Sequence, residues 1–351
     1  MTSQKIKVNE YTSASITGKS TRESLKSINR ASNVHSNLKI NFLKLSTAMV
    51  KANTTIGQSI LSQAYDIFLS ALMLRGLLDC KQSGICLKDG FREKYRDFSK
   101  SGRTGELAQA INYIFAQEKL GFKFVIDYDE FLTAYSIPRK TTGRTPDYVL
   151  FGKANSNLAV LESKGSSTKE ELTKPQLRGK LQGAMDNQCN PGVLHLQSVG
   201  KLRVSNSYAS VVELAESSES RVSAIHFADP EYDEFEYETY AEAISNYYIR
   251  WLLFICEASL DYTHDIKKII DVFNFESDFF IHEGIEFYIQ KSSYSDQYLR
   301  VPVRYGISVK VIELLYRGDY DALHSLDFNA KSLNGMEIFS DGTIAIEDKE
   351  I

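Results

Sequence analysis

The chain has 351 residues, of which 43% are hydrophobic and 25% charged, with six prolines and twenty glycines. This composition excludes a wholly disordered chain, a collagen and a membrane bundle, and the length accommodates two or three domains with proper cores. The formal net charge of −4 is divided: residues 1–203 hold thirteen more Lys and Arg than Asp and Glu, and residues 204–351 hold seventeen fewer. A basic half joined to an acidic half points to one part that faces nucleic acid and another that does something else.

Residues 1–35 are rich in Ser, Thr, Asn and Lys without an apolar period, which predicts a mobile basic arm that orders in part on the body. No apolar run opens the chain, so no signal peptide is expected. From Leu38 to Leu78 apolar residues recur at three and four, through Phe42, Leu45 and Met49 and then Ile60, Leu61, Ala64, Ile67 and Phe68. That spacing predicts two helices broken near Asn53–Gly57, a helical extension over 36–101. Gln58, Gln63, Asp66 and Arg75 interrupt its most apolar stretch, which argues for an amphipathic or buried helix and against a membrane span. Cys80 to Gly102 reads as a loop or as a short helix around Phe91–Phe98.

A new unit is expected from Gly102. Thr104 stands where an N-cap belongs, and Leu107, Ala110, Ile111, Ile114 and Phe115 share one helical face up to Gly121. Strands are predicted at 122–128, 147–151 and 157–164, the last two joined by a short turn over Gly152–Ser156. Lys174 to Asn187 reads as a helix with Pro175 in its first turn. Strands are predicted again at Val193–Val199 and Val222–Phe227. The acidic part, 231–351, reads as α+β: a helix over Tyr240–Ala258, strands at Phe287–Gln290 and Leu299–Val303, a helix over Val309–Tyr316, and a hairpin turning at Asp341-Gly342. There is no internal repeat.

Pro146-Asp147 is followed fifteen residues after the Asp by Glu162-Ser163-Lys164. Side chains alternate along a strand, so Glu162 and Lys164 point to one side, and Asp147 opens the neighbouring antiparallel strand. Two carboxylates and an ammonium then meet at one sheet edge. With a main-chain carbonyl such as that of Ser163, the carboxylates make a hard oxygen site suited to Mg²⁺ or Mn²⁺. The ammonium suits the orientation of a water or the charge of a pentavalent phosphate. Asp265-Ile-Lys267 and Glu347-Asp-Lys349 repeat the acid-x-Lys pattern but lack an upstream Pro-Asp at that distance.

Asp147, Glu162 and Lys164 in this topology resemble the PD-(D/E)xK nuclease superfamily, over about residues 102–230. The resemblance implies an α/β (α+β) restriction-endonuclease-like core, a mixed sheet flanked by helices in the order αβββαβ. It implies metal ligation by Asp147, Glu162 and Ser163, with Lys164 as the catalytic lysine. Glu106 matches the acid that some members carry on the preceding helix, and Gln182, or else Gln176, the polar residue on the following one. Arg139, Lys140 and Arg144 on one side, and Lys169, Lys174, Arg178 and Lys180 on the other, stand where phosphates of a DNA backbone would lie.

Blander readings stand beside these. Glu162 and Lys164 also fit a solvated cross-strand pair, Asp147 a turn residue, and Glu106 a favourable charge in the first turn of a helix. Other chemistries find no support. There is no GxxxxGK[ST] and no GxSxG, and His282-Glu283-Gly-Ile-Glu286 is not HExxH. Cys80, Cys86, Cys189 and Cys256 form no CxxC pair, so no structural zinc is expected, and their scatter fits a reducing cytosol. Cys189 and His195 are close in sequence only, and His195 and His226 read as core histidines in apolar strands. The acidic, Tyr- and Phe-rich run 227–242 reads as a solvated loop, a docking surface or a shield over a basic face.

The expected protein is a cytoplasmic Mg-dependent deoxyribonuclease without a membrane segment. Its setting, from the class, is a prokaryotic anti-phage defence effector controlled by an ATPase or sensor partner, with the acidic half as docking or homo-oligomer surface. The alternatives are a stand-alone restriction-type endonuclease, a non-catalytic DNA-binding or scaffold subunit of the same fold, and a protein-interaction module acting through the acidic half.

Overall fold

The computed structural model describes residues 3–13, 33–53, 73–79, 84–140, 143–152, 158–230, 240–255, 266–291, 303–333 and 335–347. Most of the second helix expected up to Leu78 (54–72), most of the Gly152–Ser156 turn and residues 231–239 of the acidic run 227–242 lie outside the described residues. The chain forms two units, one of residues 2–42 and 74–238, the other of residues 43–73 and 239–351.

The first unit is built on a seven-stranded mixed sheet. Its strands are β1 (Gln4–Ser13), β2 (Asn33–Ile40), β3 (Phe124–Asp127), β4 (Tyr148–Phe151), β5 (Leu158–Ser166), β6 (Val204–Glu213) and β7 (Ala224–Pro230), in the order β2-β1-β7-β6-β5-β4-β3. β3, β4 and β5 form an antiparallel meander, β6 runs parallel to β5, and β7 parallel to β1. The chain reaches the first unit's sheet with Ile6 and Val8 buried between exposed Lys5 and Lys7, a period of two. The arm expected at the N-terminus is therefore, over Gln4–Ser13, a strand. Its remainder, 14–32, lies outside the described residues. The extension expected over 36–101 likewise opens as strand: β2 buries Leu38 and Ile40. Helix α1 (Phe42–Asn53) follows, and all but Phe42 belongs to the second unit.

Short α2 (Phe91–Lys94) precedes α3 (Asp97–Glu118). α3 starts seven residues before Thr104, so Thr104 is a buried residue inside the helix and not its cap. It lies there because α3 packs closely on β5: a Cβ built at Gly165 would sit 2.5 Å from the Thr104 carbonyl oxygen. α4 (Tyr128–Ala134) is capped by Asp127, whose side chain accepts from the Glu130 amide. α5 (Lys174–Ala184) opens on a capping box of Thr173 and Gln176 with Pro175 in its first turn. It runs into a π-helical turn (Met185–Cys189) and then α6 (Asn190–Ser198). From α3 to β6 the order is αβββαβ, with α4, the π-turn and α6 inserted.

Two assignments change here. Val193–Ser198, expected as strand up to Val199, is helical, with Val193 and Leu196 buried three apart. The strand beside β5 is instead β6, whose VSNSYASVVE sequence looks too polar for a core strand. Its hydroxyls are satisfied inside: Ser210 donates to Asn112, and Ser207 to the Met185 thioether. His195 accordingly sits on a helix. His226 is a core histidine on β7, held between the Tyr11 hydroxyl at 3.1 Å and Glu213 at 3.3 Å.

The second unit has a six-stranded antiparallel sheet of β8 (Ser277–His282), β9 (Ile285–Gln290), β10 (Val303–Ser308), β11 (Lys331–Leu333), β12 (Met336–Ile338) and β13 (Thr343–Glu347), in the order β11-β12-β13-β10-β9-β8. Its helices are α1, α7 (Ala241–Ile255), α8 (Ile266–Glu276), α9 (Val309–Arg317) and α10 (Tyr320–Ser325). The Asp341-Gly342 hairpin forms as its sequence predicts, with Gly342 at φ 80°. Asp341 is buried and meets Lys51 at 2.7 Å, and the Tyr247 hydroxyl donates to it. Burial acts to raise the Asp341 carboxyl, but Lys51, Thr343 and Tyr247 outweigh it and hold it below its usual value. Among the described residues no helix is long and apolar enough to cross a membrane.

Candidate active site

The site grows from a fork in the first sheet. The last pair between β4 and β5 is Tyr148 with Leu161, while β5 continues beside β6 as far as Ser166. From Glu162 onward, β5 has β6 on one side and no β4 on the other. Asp147, one residue before β4, stands in that opening. Its Oδ2 accepts the Ser163 amide at 2.8 Å and its Oδ1 accepts from Gln109 Nε2 of α3 at 3.0 Å. Its own carbonyl accepts the Tyr128 amide at 3.0 Å. In a strand the N–H and C=O of one residue share a lateral edge. The Ser163 carbonyl thus points to the same opening as the amide that binds Asp147.

Alternation decides what each face of β5 holds. Ser163 turns toward α3, where the buried Asn112 donates to its hydroxyl at 2.6 Å and accepts from Ser210 at 2.7 Å. Glu162 and Lys164 turn the other way, toward the π-turn. Lys164 Nζ donates to Glu162 Oε1 and to Gln188 Oε1. Gln188 Nε2 in turn donates to the Thr145 carbonyl at 3.4 Å. One amide therefore ties the lysine to the loop that delivers Pro146-Asp147. On that loop's other flank, the Tyr128 hydroxyl donates to the Gly192 carbonyl at 2.9 Å, and Gly192 lies so close to Pro146 that a Cβ there would sit 2.5 Å from the ring.

The electrostatics follow from burial. Glu162 is 1% exposed. Desolvation, and then the neighbouring Asp147 charge, push its carboxyl up to about 8 against the pull of Lys164 and Gln188. Desolvation also raises Asp147, against the bonds from Ser163 and Gln109. Glu162 Oε2 is buried and has no hydrogen-bond partner among the described residues. Two crowded carboxyls, one with an orphaned oxygen, beside a main-chain carbonyl make a donor set that fits a hard divalent cation.

The structure thus brings together Asp147, Glu162, Ser163 and Lys164. Glu106 is exposed and takes no part in these bonds. Its place is taken by Gln109, one turn further along the same face of α3. Gln182 also stays outside and donates to Asp186 at 3.3 Å. The polar residue from the following helical segment is Gln188, which the π-turn presents to β5. Gln109 and Asn112 were legible as a polar stripe three residues apart behind Glu106, whereas nothing in the sequence marks the π-turn. Arg139, Arg144, Lys169 and Lys174 are exposed, and Lys140, Arg178 and Lys180 partly so. Arg139 meets Asp129 at 3.6 Å. Cys189 and His195 do not meet: the Cys189 thiol donates to the Tyr208 carbonyl and burial raises it well above its usual value, while His195 Nε2 pairs with the Pro138 carbonyl. Comparison of the chain with protein-family models, curated proteins and solved structures returned no match.

Proposed function

We propose that the first unit is a restriction-endonuclease-like core and that the protein is a metal-dependent nuclease hydrolysing phosphodiester bonds of DNA. The observation that carries this reading is Glu162: a buried carboxyl with an orphaned oxygen, beside Asp147 and bonded to Lys164, at a fork in the sheet. Asp147, Glu162 and the Ser163 carbonyl would hold Mg²⁺ or Mn²⁺. Such an ion supplies Lewis-acid polarisation of a phosphate and lowers the pKa of a bound water.

The chain's own residues do the rest. Gln109 and the Ser163 amide fix both oxygens of Asp147. Glu162 and Gln188 fix the Lys164 amine, a donor that orients a water or meets charge building on a phosphate oxygen. The basic side chains at 139–144 and 169–180 hold the strand by its backbone and leave the bases unread. An unregulated nuclease harms its own cell, so the reading includes a controlling partner, in the manner of a prokaryotic defence effector.

The test is cleavage of plasmid DNA in Mg²⁺ or Mn²⁺ by wild type, Asp147→Ala, Glu162→Ala and Lys164→Ala, with Mn²⁺ titrated calorimetrically in parallel. Loss of cutting in all three folded variants, and loss of Mn²⁺ binding in the two carboxylate variants, is expected. Equal cutting by wild type and the folded variants sinks the reading. So does an absence of Mn²⁺ binding to wild type.

A further inference from the structure

The outer edge of β8 has no partner strand among the described residues, because the second sheet ends β10-β9-β8. Edge strands of monomeric proteins are typically blunted by charge, proline or a bulge. β8 runs in unbroken register with β9, from Ser277 opposite Gln290 to His282 opposite Ile285. On one face it presents Phe279 and Ile281, 54% and 57% exposed. On the other it carries Asp278, Phe280 and His282.

Asp278-Phe-Phe-Ile-His282 is complementary to itself in reverse. Antiparallel pairing about a two-fold axis at Phe280 sets Asp278 opposite His282 of a second copy and Phe279 opposite its Ile281. Both exposed apolar residues then gain a cross-strand neighbour. His282 Nε2 is buried without a hydrogen-bond partner among the described residues, its nearest carboxylate oxygen, that of Glu283, being 3.8 Å away. The Asp278 carboxyl is 48% exposed and meets Arg304 only at 3.5 Å. The pairing thus sets a carboxyl opposite an imidazole at each end of the strand.

We propose that β8 pairs with β8 of a second copy of this chain, giving an isologous dimer in which the two six-stranded sheets become one. The inference is independent of the nuclease reading. A single strand pair buries little area, so the dimer is expected to be concentration-dependent.

The experiment is sedimentation equilibrium of the full chain, 39.7 kDa as a single copy, over a range of concentrations. It compares wild type, Phe279→Lys/Ile281→Lys and Phe279→Glu/Ile281→Glu. Wild type is expected to approach twice the single-copy mass and each charged variant to remain a single copy. An equimolar mixture of the two variants is expected to recover the doubled mass. A Phe279→Cys/Ile281→Cys chain gives a second reading: mild oxidation is expected to link it into a covalent dimer that wild type does not form. A wild type that stays single at every concentration overturns the proposal. So do charged variants that dimerise as wild type does, a mixture that stays single, or a cysteine variant that does not cross-link.

Discussion

Burial raises both Glu162 and Asp147, and Glu162 is raised further by the charge of Asp147. The folded chain therefore keeps a proton on Glu162 that the unfolded chain releases, between the ordinary value of 4.5 and about 8. Without metal, stability falls as pH climbs through that window. Glu162→Gln removes the contribution of Glu162 to that dependence. Chemical denaturation across the window should show the variant gaining on wild type as pH rises, by about 1.4 kcal/mol per pH unit and so about 5 kcal/mol at its upper end. At Gln188 the expected loss is of position rather than of charge. Gln188→Ala leaves Lys164 its Glu162 partner but frees it from the Thr145 loop. Cleavage should fall about 10- to 100-fold with DNA binding unchanged, and Gln188→Glu, which keeps an acceptor for the amine, should recover part of it. Measured turnover and a binding isotherm for each variant separate these outcomes. The sequence announces Asp147, Glu162 and Lys164 because strand alternation alone puts the last two on one face. It says nothing of Gln188, whose direction depends on one extra residue in a helical turn.

The loop carrying Asp147 is set by what packs against it. Gly192 of α6 lies against Pro146, and the Pro ring has little room to yield. Gly192→Ala is expected to cost about 1–3 kcal/mol by overpacking, and to lower cleavage further than that stability loss explains, because Asp147 follows Pro146 directly. Thermal melts and assays at a temperature where both chains are folded test this. The strands and helices around the site were legible where pattern and packing agree: β3, β4 and β5 are apolar runs, and α5 has Pro175 and a capping box. They were illegible where tertiary contacts override pattern. β6 buries serines whose partners, Asn112 and Met185, come from elsewhere in the chain, and α6 carries Leu194-His-Leu196-Gln, which reads as alternation although Val193 and Leu196, three apart, are the residues it buries. Thr104 is a good capping residue that α3 runs past, because Gly165 lets the helix approach β5 there.

The two units divide the charge as well as the fold, but the chain does not divide cleanly between them. Lys51 of α1 is buried with Asp341 and lies 4.1 Å from the centre of the Phe339 ring, and Lys44 meets Glu337 at 3.3 Å. Lys51→Ala would leave Asp341 buried without its cation. A loss of about 3–5 kcal/mol in the second unit is expected, read as an early transition in a calorimetric melt. The sequence shows an excess of acid from about residue 204 and helical spacing through Phe42, Leu45 and Met49. It gave no sign that these share a core, since contacts between Lys51 and Asp341 leave no local pattern.

That interleaving has a consequence on the ribosome. Phe42–Asn53 emerges long before Glu337 and Asp341, which neutralise its two buried lysines and lie some 290 residues further along the chain. At ~5–20 residues per second the helix waits roughly 15–60 s for them. For that interval the first sheet can form on both sides of an insert that has nowhere to dock. The second unit can close only once Glu337 and Asp341 have emerged.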